Sequence, residues 1–168
     1  MNKTSMKGIP LHELATVRVG VEALITFQSH ILLQQRSSKL DFFPGYLGMI
    51  GGHVDVGESS IEAIIREVKE ESGLIIPPSE CKFMFNRIVY NHDSGIIWSI
   101  LGFKIELVEE LMPIESEEGI CKWYTLEEAL NLKVLPSNLY DLQKALKNPS
   151  QMIYTYGEIK DNKYSVKS

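Results

Sequence analysis

Three glutamates, Glu67, Glu70 and Glu71, stand three and four positions apart in the stretch GGHVDVGESSIEAIIREVKEESGL, residues 51–74, which opens on the glycine pair Gly51 and Gly52. On a helix these spacings make the side chains neighbours, and like charges so placed cost about a few tenths of a kcal/mol each. Clustered carboxylate oxygens are the ligands a hard divalent cation, Mg²⁺ or Mn²⁺, prefers. A cation held there would polarise an anionic substrate and activate water beside it. Arg66 lies four residues before Glu70, a spacing that lets it orient that carboxylate by a charge-assisted hydrogen bond. Glu58 falls beside the start of the same helix. It reads equally as a partner of the helix dipole and as a water-mediated contact to a metal.

The helix that carries these groups is marked at both ends. Ser59 followed by Glu62 is a capping box, so the helix is predicted to begin near Ser60, and Gly73 is a suitable stop. Ile61, Ile64, Ile65 and Val68 recur at helical period and are predicted to form its core-facing stripe.

Around this segment the chain alternates strands and helices. Val17, Val19 and Val21 read as the inward side of a half-buried strand, and HILLQQR as a second strand after a turn near Ser29. SSKLDFFPGYLG reads as a loop with exposed aromatic groups. CKFMFNRIVYNH and GIIWSILGFKIELV, joined through Asp93-Ser94-Gly95, predict an antiparallel pair. An acidic loop, PIESEEG, precedes a short strand, ICKWY, and Thr125 with Glu128 caps a following helix. Pro136 separates that helix from a second one in SNLYDLQKALKN. The order of elements predicts a mixed α+β or sandwich-like domain. Residues 1–13 read as an N-terminal arm and residues 149–168 as a C-terminal hairpin or tail of one domain spanning 1–168.

Composition narrows the function. At 44% apolar and 23% charged residues, with a net charge of -5, the chain has the profile of a folded soluble protein without a footprint for a nucleic-acid polymer or an anionic membrane. An anionic ligand would therefore need a bound cation to attract it. Cys81 and Cys121 form no metal-binding pair and read as reduced, buried thiols. The N-terminal residues lack an apolar signal core and no stretch is long enough to span a bilayer, so a cytoplasmic location is expected.

Gly52, five residues, Glu58, seven residues, Arg66-Glu67-Val68, one residue, Glu70-Glu71, one residue, and Gly73-Leu74 match every specified position of the Nudix box. The chain thus resembles the Nudix hydrolases, MutT-like enzymes included. The resemblance implies an α/β/α sandwich around a mixed β-sheet, with the box as a catalytic loop-helix-loop. It implies a hydrolase that cleaves a diphosphate linked to another group X with the help of Mg²⁺ or Mn²⁺. It further implies Gly51 (through its carbonyl), Glu67, Glu70 and Glu71 as metal ligands, Glu67 as the base for the attacking water, and Arg66 and Glu58 as supporting residues. One departure is Ile50, where many members carry proline before the glycine pair. Proline would stiffen that loop and is no ligand, so the chemistry is untouched.

Signals for the substrate are weaker. By the same resemblance Arg36 is a candidate for contact with phosphate or base, Phe42 with Phe43 and Tyr46 for stacking on a base, and Tyr90 for substrate contact. Glu118, in the acidic loop with Glu115 and Glu117, is a candidate further metal ligand, and His53 a candidate phosphate contact. The expected substrate is a small nucleotide, best a nucleoside or deoxynucleoside triphosphate including oxidised forms. A dinucleoside polyphosphate and a nucleotide sugar are the alternatives, and a non-catalytic nucleotide-binding regulator is the alternative of another class. No motif for isoprenoid diphosphate isomerisation is visible. A monomer or homodimer is expected.

Overall fold

The computed structural model describes residues 4–5, 9–10, 16–39, 43–117, 119–147, 151–161 and 163–167. Two of the residues singled out above, Phe42 and Glu118, lie outside them. Among the described residues, ten strands form one mixed sheet: β1 (Thr16–Phe27), β2 (His30–Arg36), β3 (Leu47–Gly48), β4 (Ile50–His53), β5 (Lys82–Asn91), β6 (Ile96–Leu107), β7 (Glu115–Ser116), β8 (Gly119–Thr125), β9 (Ile153–Lys160) and β10 (Lys163–Lys167). The main order is β10-β9-β5-β6-β1-β2-β8-β7, with β3 on β2 and β4 on β1. The β1–β6 and β5–β9 pairings are parallel and the remaining ones antiparallel.

Helix α1 (Ser60–Ser72) belongs to one core, and helices α2 (Leu126–Leu130) and α3 (Pro136–Lys147) to the other. Strand alternation explains the division, because successive β1 residues face opposite sides of the sheet. Val21, Ala23 and Ile25 pack with Ala63, Ile64 and Val68 of α1, whereas Leu24 joins Ala129, Leu142 and Ala145 of α2 and α3. This is the α/β/α layering expected of the family. The hairpin predicted near the C-terminus forms as β9 and β10, and β9 adds to the main sheet alongside β5.

Two expectations about burial are corrected. Val17 and Val19 are exposed, because β4 pairs with β1 only from Gly20 to Ala23 and the core cluster on that side begins at Val21. Ile61 is also exposed and Ile65 only half-buried. The inward stripe of α1 is instead Ala63, Ile64, Glu67, Val68, Glu71 and Ser72. Two of the three clustered glutamates therefore sit on the buried side of their helix.

Candidate active site

Local sequence positions α1 firmly. The Ser59 side chain accepts from the Glu62 N–H at 3.3 Å, the Glu62 carboxylate accepts from the Ser59 N–H at 2.7 Å, and Gly73 ends the helix at φ 74°. Only glycine takes that left-handed conformation at little cost. The helix docks next to β4, which carries the glycine pair. Gly51 lies against the β1 backbone, where a Cβ would collide with the Val21 carbonyl oxygen. Gly52 lies over the Glu67 carboxylate, where a Cβ would displace it. The two glycines thus have different duties: one brings β4 close to β1, the other leaves room for an acidic group.

Arg66 ties the acidic groups together. Its Nη1 donates to Glu67 Oε1 at 2.8 Å and to Glu70 Oε2 at 3.2 Å, while Nη2 donates to Glu58 Oε1 at 2.7 Å and to the His53 carbonyl at 3.0 Å. Nε donates to Glu58 Oε2 at 3.2 Å. Glu58 also accepts from the Asp55 N–H at 2.7 Å, and these bonds, that with Arg66 foremost, hold its carboxyl below the usual range. Beside the two readings open for Glu58, dipole partner and water-mediated metal contact, the geometry shows a further role: it grips the back of Arg66 and fixes the loop before the helix. The Glu67 side chain is 10% exposed and that of Glu70 59% exposed. The three acids therefore differ in their access to water.

Among the described residues, no three His, Cys, Asp or Glu side chains converge on a single point. The donor chemistry nevertheless fits a hard divalent cation: oxygen ligands only, two on the buried side of the helix, with a glycine clearing space over one. Neither thiol competes for such a role. Cys121 is buried, which pushes its thiol up to about 12, and Cys81 is half-buried rather than buried as expected.

Two cavities meet beside this helix. One, of about 350 Å³, is lined by Glu67, Gly51, Gly52 and Arg36. The other, of about 410 Å³, has walls from Phe43, Val89, Trp98, Ile100 and Ile159. Glu22, Arg36, His53, Trp98 and Ile100 border both, so the two adjoin. The structure thus brings Arg36 and His53 to the same cavity system as Glu67. It does not bring Tyr90 there: Val89 and Asn91 line the larger cavity, and Tyr90, on the opposite side of β5, packs on His92 with ring centroids 4.4 Å apart. Tyr46 packs edge-on against Phe43.

The sequence reading missed a buried charge cluster under the larger cavity. Arg87 donates to Glu22 Oε1 at 2.5 Å and to Asp141, and Asn138 donates to Glu22 Oε2 at 2.7 Å. Burial, with Glu22 as a second carboxylate on the same guanidinium, pushes Asp141 up to about 6 although Arg87 opposes the rise. A visible signal existed. Glu22 and Arg87 are charged residues inside otherwise apolar strand runs, where a charge needs a partner.

Residues 16–145 match the NUDIX domain. The chain is 28% identical over 107 residues to the uncharacterized Nudix hydrolase YvcI of Bacillus subtilis (strain 168), covering 63% of this chain and 68% of that one. It is 30% identical over 118 residues to the NAD-capped RNA hydrolase NudC of Pseudomonas aeruginosa (strain LESB58), covering 70% of this chain but only 39% of NudC. The chain therefore spans about two fifths of that relative's length. In fold it is similar to the mutator MutT protein of Bacillus halodurans, with a TM-score of 0.73 at 20% identity over 89% of this chain and 97% of that one. With the match extending far beyond the motif to most of the chain, this protein belongs to the Nudix hydrolase family.

Proposed function

We propose that this Nudix pyrophosphohydrolase acts on a small nucleotide, a nucleoside or deoxynucleoside triphosphate, cleaving a diphosphate linkage with Mg²⁺ or Mn²⁺. The observation that carries this reading is the place of Glu67, a carboxylate largely shielded from water at the wall of a cavity that adjoins a larger, mostly apolar one. A charged diphosphate would lie beside Glu67 and its organic group in the larger space. No helix of the described residues is long and apolar enough to cross a membrane.

Glu67, Glu70, Glu71 and the Gly51 carbonyl would hold the cation. When bound, it supplies Lewis-acid stabilisation of phosphate charge and acidifies water. Glu67 takes a proton from the attacking water, and its shielding keeps bulk solvent from competing for that proton. Arg66 fixes Glu67 and Glu70 so that neither must be ordered during the reaction. Arg36, at the junction of the cavities, is the cation of the chain itself best placed to meet a phosphate oxygen.

The test is turnover of a panel of nucleoside triphosphates, dinucleoside polyphosphates and nucleotide sugars with Mg²⁺ or Mn²⁺ in ¹⁸O water. Release of a monophosphate and pyrophosphate, or of a diphosphate and phosphate, from a triphosphate is expected, with ¹⁸O in one product identifying the phosphorus attacked. Turnover confined to dinucleoside polyphosphates or nucleotide sugars would overturn the substrate assignment.

A further inference from the structure

We infer that Glu22 determines specificity, reading two adjacent N–H donors on the ring that enters the larger cavity. This rests on the nucleotide-hydrolase reading above and extends it to the base. Glu22 borders both cavities, so it stands where the phosphate end of a ligand gives way to its organic group.

Its carboxylate is fixed from behind. Arg87 holds one oxygen and Asn138 the other, and both supports are themselves anchored: Arg87 by Asp141, and Asn138 by accepting from the Met49 N–H at 2.9 Å. Arg87 and Asp141 have side chains 3% and 0% exposed, whereas Glu22 is 18% exposed. Glu22 is thus the most exposed member of this cluster, although Arg87 also reaches the cavity wall. Each carboxylate oxygen has two acceptor positions. The supports take one on each, which leaves one on each for a ligand.

A fixed carboxylate with a free position on both oxygens suits a planar partner carrying two parallel N–H donors, the geometry of bidentate recognition. The surrounding walls, Trp98 with Val89, Ile100 and Ile159, suit the faces of a flat ring. Arg18, Arg36 and Arg87 also line this cavity, so the selection comes from the Glu22 oxygens themselves, which accept from ring N–H donors and face ring nitrogens with lone pairs unfavourably. Guanine offers adjacent N–H donors on its ring nitrogen and its 2-amino group. Hypoxanthine lacks the amino group, and adenine presents a bare acceptor nitrogen at the same edge. A site that hydrogen-bonds a donor discriminates strongly against the analogue that lacks it.

The experiment measures kcat/KM and equilibrium binding of GTP, ITP and ATP on the full chain with Mg²⁺. GTP is expected to exceed ITP by about tenfold or more, and ATP by more again. In Glu22→Gln, which keeps an acceptor for only one of the two supports and turns a donor toward the other, the GTP-to-ITP ratio should fall to within about threefold, with KM for GTP rising more than kcat falls. Equal use of GTP and ITP by the unaltered protein, or an unchanged ratio in a folded Glu22→Gln, would overturn the inference. Should Glu22→Gln fail to fold, the comparison on the unaltered protein decides. GTP-selective binding without turnover would uphold the inference while removing the hydrolase reading, and failure to bind any of the three would remove the inference itself.

Discussion

Arg66 Nη1 lies 2.8 Å from Glu67 Oε1, and the same guanidinium reaches Glu58 and Glu70. One side chain thus ties the loop before the helix to the acids on it. Lysine can supply the charge but not the planar fork. Arg66→Lys is therefore expected to cut turnover by roughly 10–100-fold, the scale set by losing a group that orients metal ligands, if Glu67 and Glu70 hold the cation as proposed. Steady-state kinetics beside a melting curve checks this, and a loss of stability without a loss of turnover would assign Arg66 to the fold alone.

The two glycines of β4 separate stability from activity. In Gly51→Ala the new methyl meets β1 backbone that cannot yield, so destabilisation of about 1–3 kcal/mol is expected from overpacking. In Gly52→Ala it meets the end of the Glu67 side chain, which can turn aside. Turnover should fall steeply there while the denaturant midpoint moves little. Chemical denaturation and kinetics on both variants test the contrast.

Asp141 gives a pH signature. Its carboxyl titrates near 6 in the fold against an ordinary 3.8, because burial disfavours the charge. Between those values the folded chain holds a proton that the unfolded chain releases, so this group's contribution is full below about 4 and is lost as pH rises through about 6. Asp141→Asn should remove that decline. Equilibrium unfolding at pH 4, 5, 6 and 7 checks it, and an identical slope in the variant would show that Asp141 does not titrate there.

Much of the site was legible because its signals are local. The capping box at Ser59 and Glu62, the stop at Gly73 and the spacing of the glutamates depend on neighbours in the chain, and each appears in α1. The rotation of that helix was misread. Ile61, Ile64, Ile65 and Val68 fit an apolar stripe, but packing turns the helix so that Glu67 and Glu71 share the inner side with Ile64 and Val68. Hydropathy alone assigns glutamate outward, and only the room left by Gly52 reveals otherwise. The Glu22–Arg87–Asp141 cluster joins residues 65 and 54 positions apart, so no local spacing announces it. Tyr90 shows the limit of carrying a position over by its distance from the motif: the strand alternates, and Val89 and Asn91 face the cavity instead.

The central claim is that Glu67 acts directly in metal-assisted hydrolysis of a diphosphate linkage. Its most direct measurement is kcat for Glu67→Gln at saturating Mg²⁺ or Mn²⁺, on whichever nucleotide the unaltered protein hydrolyses best. Glutamine keeps the size of the side chain and removes its basicity, so a loss of at least about 100-fold with an unchanged melting temperature is expected. Turnover within threefold of the unaltered protein would contradict the claim and place the base elsewhere.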